Sequence, residues 1–207
     1  MSNIKLYRHP LSGHAHRVEL FLSILGLNAD IIDVDLMGGE HKQPEFLSKN
    51  IFGQIPVLED GATTLSDSNA ILAFLASKYD TTGMWLPVNP EELSSVQRFL
   101  SVAAGSVAFG PAAARLVNVF GADLNHEQAK ERSNHLLATL NDHLWDRKWL
   151  ATQNPTIADI ANYTYIAHAP EGDISLEPYP HVMAWLRRVE ALAGFVPMQR
   201  TQAGLAA

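Results

Sequence analysis

The sequence predicts an α+β domain followed by an all-helical domain, because three features change along the chain. Strand-like and helix-like hydrophobic patterns alternate up to about residue 80, and no strand-like pattern follows residue 90. The segment between them contains Gly83 and Pro87 and lacks periodicity, which is typical of a linker. The predicted domains are residues 1–80 and 91–207, joined by a linker at residues 81–90.

The first domain has the predicted order β-α-β-α-β-β-α. Apolar residues fall near one face of the helix predicted at residues 17–25, and the dipeptide Asp60-Gly61 predicts a hairpin turn. Such an order packs helices against a mixed four-stranded sheet. The predicted segments are residues 4–7, 17–25, 29–36, 44–48, 56–58, 63–65 and 68–79.

The second domain is predicted to contain helices only, at residues 91–120, 126–149, 157–168 and 180–193. Thr156 precedes the third of these helices, and Asp159 lies in its first turn. This is the spacing of a capping box, in which each of the two side chains binds a backbone amide. We interpret this pair as structural and expect loss of the Asp159 carboxylate to cost about 1 kcal/mol or more.

Composition excludes several classes of function. The net charge is -7, and no basic stripe is present, so neither a nucleic acid nor an acidic membrane is expected as a partner. Cysteine is absent, which excludes disulfides, thiolate metal sites and a nucleophilic protein thiol. No apolar run reaches the length needed to span a bilayer, and the first ten residues do not resemble a signal peptide, so we expect a cytoplasmic protein.

Four segments, at residues 6–18, 54–58, 66–71 and 154–160, together resemble the glutathione transferase family. The first reads Leu-Tyr-Arg-His-Pro-Leu-Ser-Gly-His-Ala-His-Arg-Val, and the similarity is to bacterial, serine-type, theta-like cytosolic members. The resemblance implies a thioredoxin-like first domain and a helical-bundle second domain. It also implies glutathione as co-substrate with no other cofactor, a role in detoxification, and a homodimer in which the helix of Ser68 faces the partner's second domain.

The resemblance assigns the centre of the glutathione site to Ile55 and Pro56. It implies a cis bond before Pro56 and pairing of the Ile55 backbone with the cysteinyl backbone of glutathione. The alternative is a trans proline that only opens a strand. Gln54, beside this pair, is placed to reach the glycine end of glutathione.

Asp67 and Ser68 stand where the fourth strand ends and a helix begins. They could simply cap that helix. The resemblance implies that Ser68 holds the γ-glutamyl carboxylate at the helix N-terminus and that Asp67 meets the neighbouring ammonium. The family more often has Glu before this Ser, and Asp is one methylene shorter. His41 and Lys42 would bind the glycine carboxylate, the alternative being a solvated loop pair.

The catalytic group needs to stabilise the glutathione thiolate, since a free cysteine thiol has a pKa of about 8.5. The resemblance assigns this role to Ser12, whose hydroxyl would donate a hydrogen bond to sulfur beside a helix N-terminus. Tyr7 and a mechanism that uses backbone amides alone are the alternatives. His14 and His16 could border the sulfur. A His-x-His pair can also bind a metal, but such a site needs further ligands and none lies at a suitable spacing, so no metal is expected. We expect Arg17 at the surface or at an interdomain or dimer contact.

The electrophile is expected between the two domains, beside the sulfur of glutathione. The candidate lining residues come from the first loop and the helices, although such residues at helical spacing more often belong to the core. They are Pro10, Leu11, Phe109, Arg115 and Tyr165.

Three functions are compatible with these residues. The first is conjugation of glutathione to a hydrophobic electrophile. The second is a glutathione-dependent disulfide or peroxide reductase, in which a second glutathione resolves the intermediate. The third is a non-enzymatic ligand carrier or interaction module of the same fold.

Overall fold

The computed structural model describes residues 4–207, and its first domain is built on one mixed β-sheet. The strands lie in the order β2-β1-β3-β4; β1 and β2 run parallel, and the other two pairs run antiparallel. The bounds are β1 (Ile4–Arg8), β2 (Asp30–Asp33), β3 (Val57–Asp60) and β4 (Thr63–Ser66). This is the predicted four-stranded sheet.

Three helices flank this sheet: α1 (Gly13–Ile24), α2 (Pro44–Leu47) and α3 (Ser68–Tyr79). Helix α1 begins at Gly13 rather than at Arg17, where the sequence placed its start. The reason is the N-cap, because the Ser12 Oγ atom accepts a hydrogen bond from the Ala15 N–H at 3.2 Å.

The second domain is helical throughout. Its helices are α4 (Pro90–Val102), α5 (Ala113–Phe120), α6 (His126–His143), α7 (Ile157–Ala167) and α8 (Pro180–Glu190). The structure confirms the predicted helix positions, but α6 and α8 end before residues 149 and 193.

The helix predicted at residues 91–120 differs from the structure in its middle. A π-helical segment, Ala103–Ala112, separates α4 from α5. Pro111 lies inside that segment. Proline has no backbone N–H, and in an α-helix its ring would clash with the carbonyl oxygen of the residue four positions earlier. The wider π-helical turns accommodate this break in the α-helical hydrogen bonding.

The whole stretch Pro90–Phe120 is long and apolar enough, by length and composition, to cross a membrane, contrary to the sequence expectation. About 44% of its most apolar window is buried inside the protein. Val96, Phe99 and Val107 belong to the core, and the stretch packs against α6 and α7. Core packing therefore accounts for much of its apolar character.

A continuous apolar core joins the two domains. Helix α1 packs against α3 on one side and against α7 of the second domain on the other. Phe21 of α1 is fully buried, and its ring meets that of Trp85 edge-on at 5.2 Å between centroids. Helix α1 is therefore held in contact with both α3 of the first domain and α7 of the second.

Candidate active site

A cleft of about 640 Å³ opens in the first domain between the turn-rich segment after β2, the approach to β3 and the start of α3. Its lining includes seven of the eight residues that the sequence assigned to glutathione: His41, Lys42, Gln54, Ile55, Pro56, Asp67 and Ser68. Ser12, the eighth, is not part of the lining, but His14 in the first turn of α1 is.

The N-terminus of α3 gives this cleft a site suited to a carboxylate. Asp67 is the N-cap, and its Oδ1 atom accepts from the Ala70 N–H at 2.9 Å. Its φ of 70° is rare for a non-glycine residue, and such strain is concentrated at ligand sites. Ser68 follows as the first helical residue, where free N–H groups and the helix dipole attract an anion. The second Asp67 carboxylate oxygen can receive a cation.

A basic side chain borders the cleft at the segment before β3. Lys42 Nζ donates to the carbonyl oxygens of Gly53 at 3.1 Å and Phe52 at 3.4 Å. An ammonium group carries three donors, so Lys42 retains one for a ligand. The buried His41 Nδ1 atom has no hydrogen-bond partner within residues 4–207. Lys42 can thus provide a polar contact to a second carboxylate, beside His41, which also lines the cleft.

The Ile55–Pro56 peptide bond between these two regions is cis, as predicted. Within residues 4–207 the structure records no hydrogen bond to the Ile55 backbone. A peptide that enters the cleft can therefore pair with it as a neighbouring strand would.

Sequence reasoning missed Asn50, which shapes this part of the cleft. Its Nδ2 atom donates to the Gln54 carbonyl oxygen at 2.7 Å, and its Oδ1 atom accepts from the Phe52 N–H at 3.1 Å. An Asn in a turn-rich stretch is too common to signal this role before the loop is seen.

Ser12 is placed to act as a hydrogen-bond donor at the N-terminus of α1. Its Oγ atom accepts from Ala15, and within the described part of the chain no acceptor is recorded for its hydroxyl proton. The carbonyl oxygen of the preceding Leu11 is held by Arg115 Nη1 at 2.8 Å. The loop before Ser12 is thus fixed from the second domain.

Tyr7, the alternative catalytic group, is engaged elsewhere. Its hydroxyl donates to Glu59 Oε2 at 3.2 Å, its ring packs edge-on against Phe46, and the Lys49 ammonium lies 5.0 Å from the ring centroid. The hydroxyl of Tyr7 therefore forms a hydrogen bond between β1 and β3 within the sheet.

His14 and His16 are neutral at pH 7. Burial, reinforced by the nearby Arg17, lowers the pKa of His14 to about 3, and burial lowers the pKa of His16 to about 4. His16 Nε2 lies 2.9 Å from the Val196 carbonyl oxygen, which can only accept, so that nitrogen carries the proton. Neither ring supplies positive charge to a thiolate, and no group of three or more potential metal ligands was found in residues 4–207.

The five candidates for the electrophile site do not all come together: Phe109 lies apart, whereas Leu11 and Arg115 are in direct contact. Phe109 lines a separate groove between α4 and α6, and Pro10 lines a small pocket beside Arg8. Tyr165 is only 5% exposed and packs edge-on against His14, and a Cβ atom on Gly13 would lie 2.7 Å from its ring.

Arg115 is also buried, at 1% exposure, where its Nε atom pairs with Glu171 Oε2 at 2.7 Å. Leu11 contributes a backbone carbonyl to Arg115. Sequence alone does not fix the rotation of a helix about its axis, so it did not reveal that Phe109 lines another groove and that Arg115 and Tyr165 are buried. Arg17 is buried at 1% exposure, which excludes the predicted surface position, but its guanidinium carbon lies 5.9 Å from the centroid of the Tyr165 ring, which confirms the predicted interdomain contact.

The fold and the cleft define a class of two-domain protein with a thioredoxin-like first domain. Its cleft presents the backbone of Ile55 between two polar regions, the N-terminus of α3 and the pair His41 and Lys42. Comparison with known proteins agrees with this class. Residues 2–77 match the family model described as glutathione S-transferase, N-terminal domain, and residues 111–193 match that of the C-terminal domain.

The chain is 34% identical to glutathione S-transferase 3 of Zea mays, over 99% of this chain and 96% of the relative. A crystal structure of a glutathione S-transferase from Pseudomonas fluorescens superposes with a TM-score of 0.89 and 32% identity, covering 96% of this chain and 100% of that one. The structure of a glutathione transferase homologue from Drosophila mojavensis, solved with bound glutathione, superposes with a TM-score of 0.84 and 27% identity. The match covers 93% of this chain and 89% of that one. The chain belongs to the glutathione S-transferase family of enzymes.

Proposed function

We propose that the protein conjugates glutathione, as its thiolate, to hydrophobic electrophiles. The proposal rests on one observation. The same cleft is lined by the N-terminus of α3, by Ile55 with its unpaired backbone, and by the basic pair His41 and Lys42. Glutathione has a carboxylate at each end and a peptide bond in the middle, so its chemistry matches all three.

In this placement the γ-glutamyl end lies at α3. Ser68 and the first free amides of the helix bind the α-carboxylate, and the Asp67 carboxylate binds the ammonium. The cysteinyl backbone pairs with Ile55, as implied by the family resemblance. Lys42, His41 and Gln54 receive the glycine carboxylate.

The sulfur then points toward the N-terminus of α1, where Ser12 donates its hydroxyl proton into a hydrogen bond with the thiolate. The thiol proton leaves to solvent; Ser12 does not remove it. The sulfur lone pair forms a new S–C bond, and the electrophile releases its leaving group, such as chloride. Ser12 acts by lowering the thiol pKa, and each unit is worth about 1.4 kcal/mol.

The electrophile approaches from α5 in this proposal. Phe120 is 43% exposed, and its ring lies 6.1 Å from that of His9 in the loop before Ser12. Leu116, one helical turn earlier, is also exposed on that helix. These two side chains replace Phe109 as the apolar wall.

Glutathione binding should depend on Ser68. We expect calorimetry to show binding by the wild type, and Ser68→Ala to weaken it roughly tenfold because a hydrogen bond to a charged group is lost. Ser94→Ala is the matched control, because Ser94 lies exposed in the first turns of α4, away from the cleft. Equal affinity in all three proteins would place glutathione elsewhere.

The same preparations distinguish the alternative functions. Conjugation of a chloronitroaromatic supports the proposal. Turnover of a small disulfide or an organic hydroperoxide without conjugation would favour the reductase, and tight glutathione binding without any turnover would favour a carrier.

We also propose a homodimer, on the family resemblance, with α3 facing the partner's second domain. Analytical ultracentrifugation at micromolar concentration should give twice the mass of the chain. A single species at the mass of one chain would contradict this assembly.

A further inference from the structure

Arg115 of α5 holds the peptide group that precedes Ser12. Its Nη1 atom donates to the Leu11 carbonyl oxygen at 2.8 Å. At the other end of the same peptide group, the Ser12 N–H donates to the His9 carbonyl oxygen at 2.9 Å. The Ser12 carbonyl oxygen accepts from the His16 N–H at 2.8 Å. The backbone on both sides of Ser12 is therefore hydrogen-bonded, and one of these bonds comes from the second domain.

Arg115 is itself held by Glu171, in the short 3₁₀ helix Ala169–Gly172 that follows α7. Arg115 Nε donates to Glu171 Oε2 at 2.7 Å, and both side chains are buried. The same carboxylate accepts from Thr201 Oγ1 at 2.8 Å and from the Thr201 N–H at 3.2 Å, and His168 Nδ1 lies 2.6 Å from it. Although burial raises the pKa of Glu171, these hydrogen bonds and the charge of Arg115 hold the pKa below its usual range, so Glu171 stays charged at neutral pH.

The backbones of α5 and of this 3₁₀ helix also lie against each other. A Cβ atom on Gly172 would lie 2.8 Å from the Arg115 backbone nitrogen, which is closer than such contacts occur. The segment that carries Glu171 is therefore packed directly on the backbone of Arg115. This packing and the charge pair together fix the guanidinium that reaches Leu11.

We propose that Arg115 is a positioning residue for catalysis, which acts through the Leu11 carbonyl oxygen and fixes the direction in which Ser12 presents its hydroxyl to the sulfur of glutathione. The inference rests on the proposed function, in which Ser12 stabilises the thiolate. A hydrogen bond weakens steeply when its donor is misaligned. A displacement of about 1 Å at a catalytic group can cost about 100-fold in rate, even when the mutation lies far from the chemistry.

A purely structural role is the competing explanation, because the Arg115–Glu171 pair joins α5 to the segment after α7 and to Thr201. A buried ion pair is weak evidence for such a role, since apolar residues of similar volume often replace it without loss of stability. The two roles also differ in what they change. A structural tie affects unfolding and has no reason to change the thiol pKa, whereas a positioning role changes that pKa and depends on the Ser12 hydroxyl.

The test is a double-mutant cycle between Arg115→Met and Ser12→Ala. We expect Arg115→Met to lower kcat for conjugation of a chloronitroaromatic roughly tenfold. It should also raise the pKa of the bound glutathione thiol by about half a unit or more, measured from the ultraviolet absorbance of the thiolate. The dissociation constant of glutathione should stay within about threefold. In the Ser12→Ala background, Arg115→Met should change kcat by no more than about twofold, because no hydroxyl remains to be positioned.

Two further variants keep the test decisive. Arg115→Met leaves Glu171 buried without its cation, which is strongly destabilising. The paired change Arg115→Met/Glu171→Gln removes both charges, stays folded on that argument, and should give the same loss of kcat and the same rise in thiol pKa. Lys78→Met is the control: it removes the cation from the buried carboxylate of Asp60, 2.6 Å away at the opposite end of α3 from the cleft. It should leave kcat and the thiol pKa unchanged.

A thiol pKa and a kcat equal to those of the wild type in the paired variant would overturn the inference. The same follows if Arg115→Met, or the paired change, lowers kcat as much in the Ser12→Ala background as in the wild type. These outcomes would leave the proposed function intact, because the wild type would still bind and conjugate glutathione. Failure of the wild type to do so would instead remove the proposed function, and the inference with it.

Discussion

Ser12→Ala should lower kcat for conjugation roughly 10-fold to 100-fold, since a hydrogen bond to a charged atom is worth about that factor. The affinity for glutathione should stay within about threefold, because the contacts at Ser68, Ile55 and Lys42 remain. The reason is that Ser12, at the N-terminus of α1, would contact only the sulfur atom, whereas the residues that line the cleft would hold the carboxylates and the peptide backbone. Steady-state kinetics with a chloronitroaromatic and calorimetry measure the two quantities.

The control for this change is Ser12→Thr, which keeps a hydroxyl. It is needed because Ser12 also caps α1, so Ser12→Ala should cost about 1 kcal/mol of stability. Thermal unfolding of both variants establishes that they are folded at the assay temperature. Unchanged kcat in Ser12→Ala would assign thiolate stabilisation to backbone amides, since Tyr7 is bound to Glu59.

Asp159→Ala should destabilise the protein by roughly 3–5 kcal/mol, well beyond the cost of a lost helix cap. The fully buried Asp159 carboxylate accepts hydrogen bonds from the N–H groups of Leu150 and Thr156 and from Trp185 Nε1, each at 2.9 Å. Its removal leaves three buried donors without a partner. Denaturant unfolding measures the change, and the unfolding temperature should fall by roughly 10 °C.

Asn125→Ala is the matched control. Asn125 caps α6 with one hydrogen bond, from Gln128 N–H at 2.9 Å, and is exposed. It should cost about 1 kcal/mol. If Asp159→Ala cost no more than Asn125→Ala, the hydrogen bonds from Leu150 and Trp185 would contribute little to stability.

The Asp159 site shows what sequence could and could not predict. The spacing of Thr156 and Asp159 predicted the capping box, which the structure confirms, because both partners lie within one helical turn. Trp185 lies 26 positions further on, and nothing local signals its hydrogen bond to Asp159. The sequence estimate of about 1 kcal/mol or more therefore rests on the helix cap alone.

The same distinction holds for the cleft. The hairpin, the cis bond at Pro56 and the start of α3 follow from short motifs, and the predicted residues around them meet in one cleft. The burial of Arg17 and Arg115 was not predicted, because their partners lie about 50 positions or more away, at Ser68 and at Glu171. The burial of a charged side chain depends on such distant partners, which local periodicity does not report.

The most direct test of the account is a pH titration of enzyme-bound glutathione, followed by the ultraviolet absorbance of the thiolate. A free cysteine thiol titrates with a pKa of about 8.5. For the wild type we predict a midpoint at least about one unit below that of free glutathione, and a midpoint that returns toward the free value in Ser12→Ala. Bound glutathione that titrates as it does in free solution would contradict the claim that this cleft stabilises the thiolate.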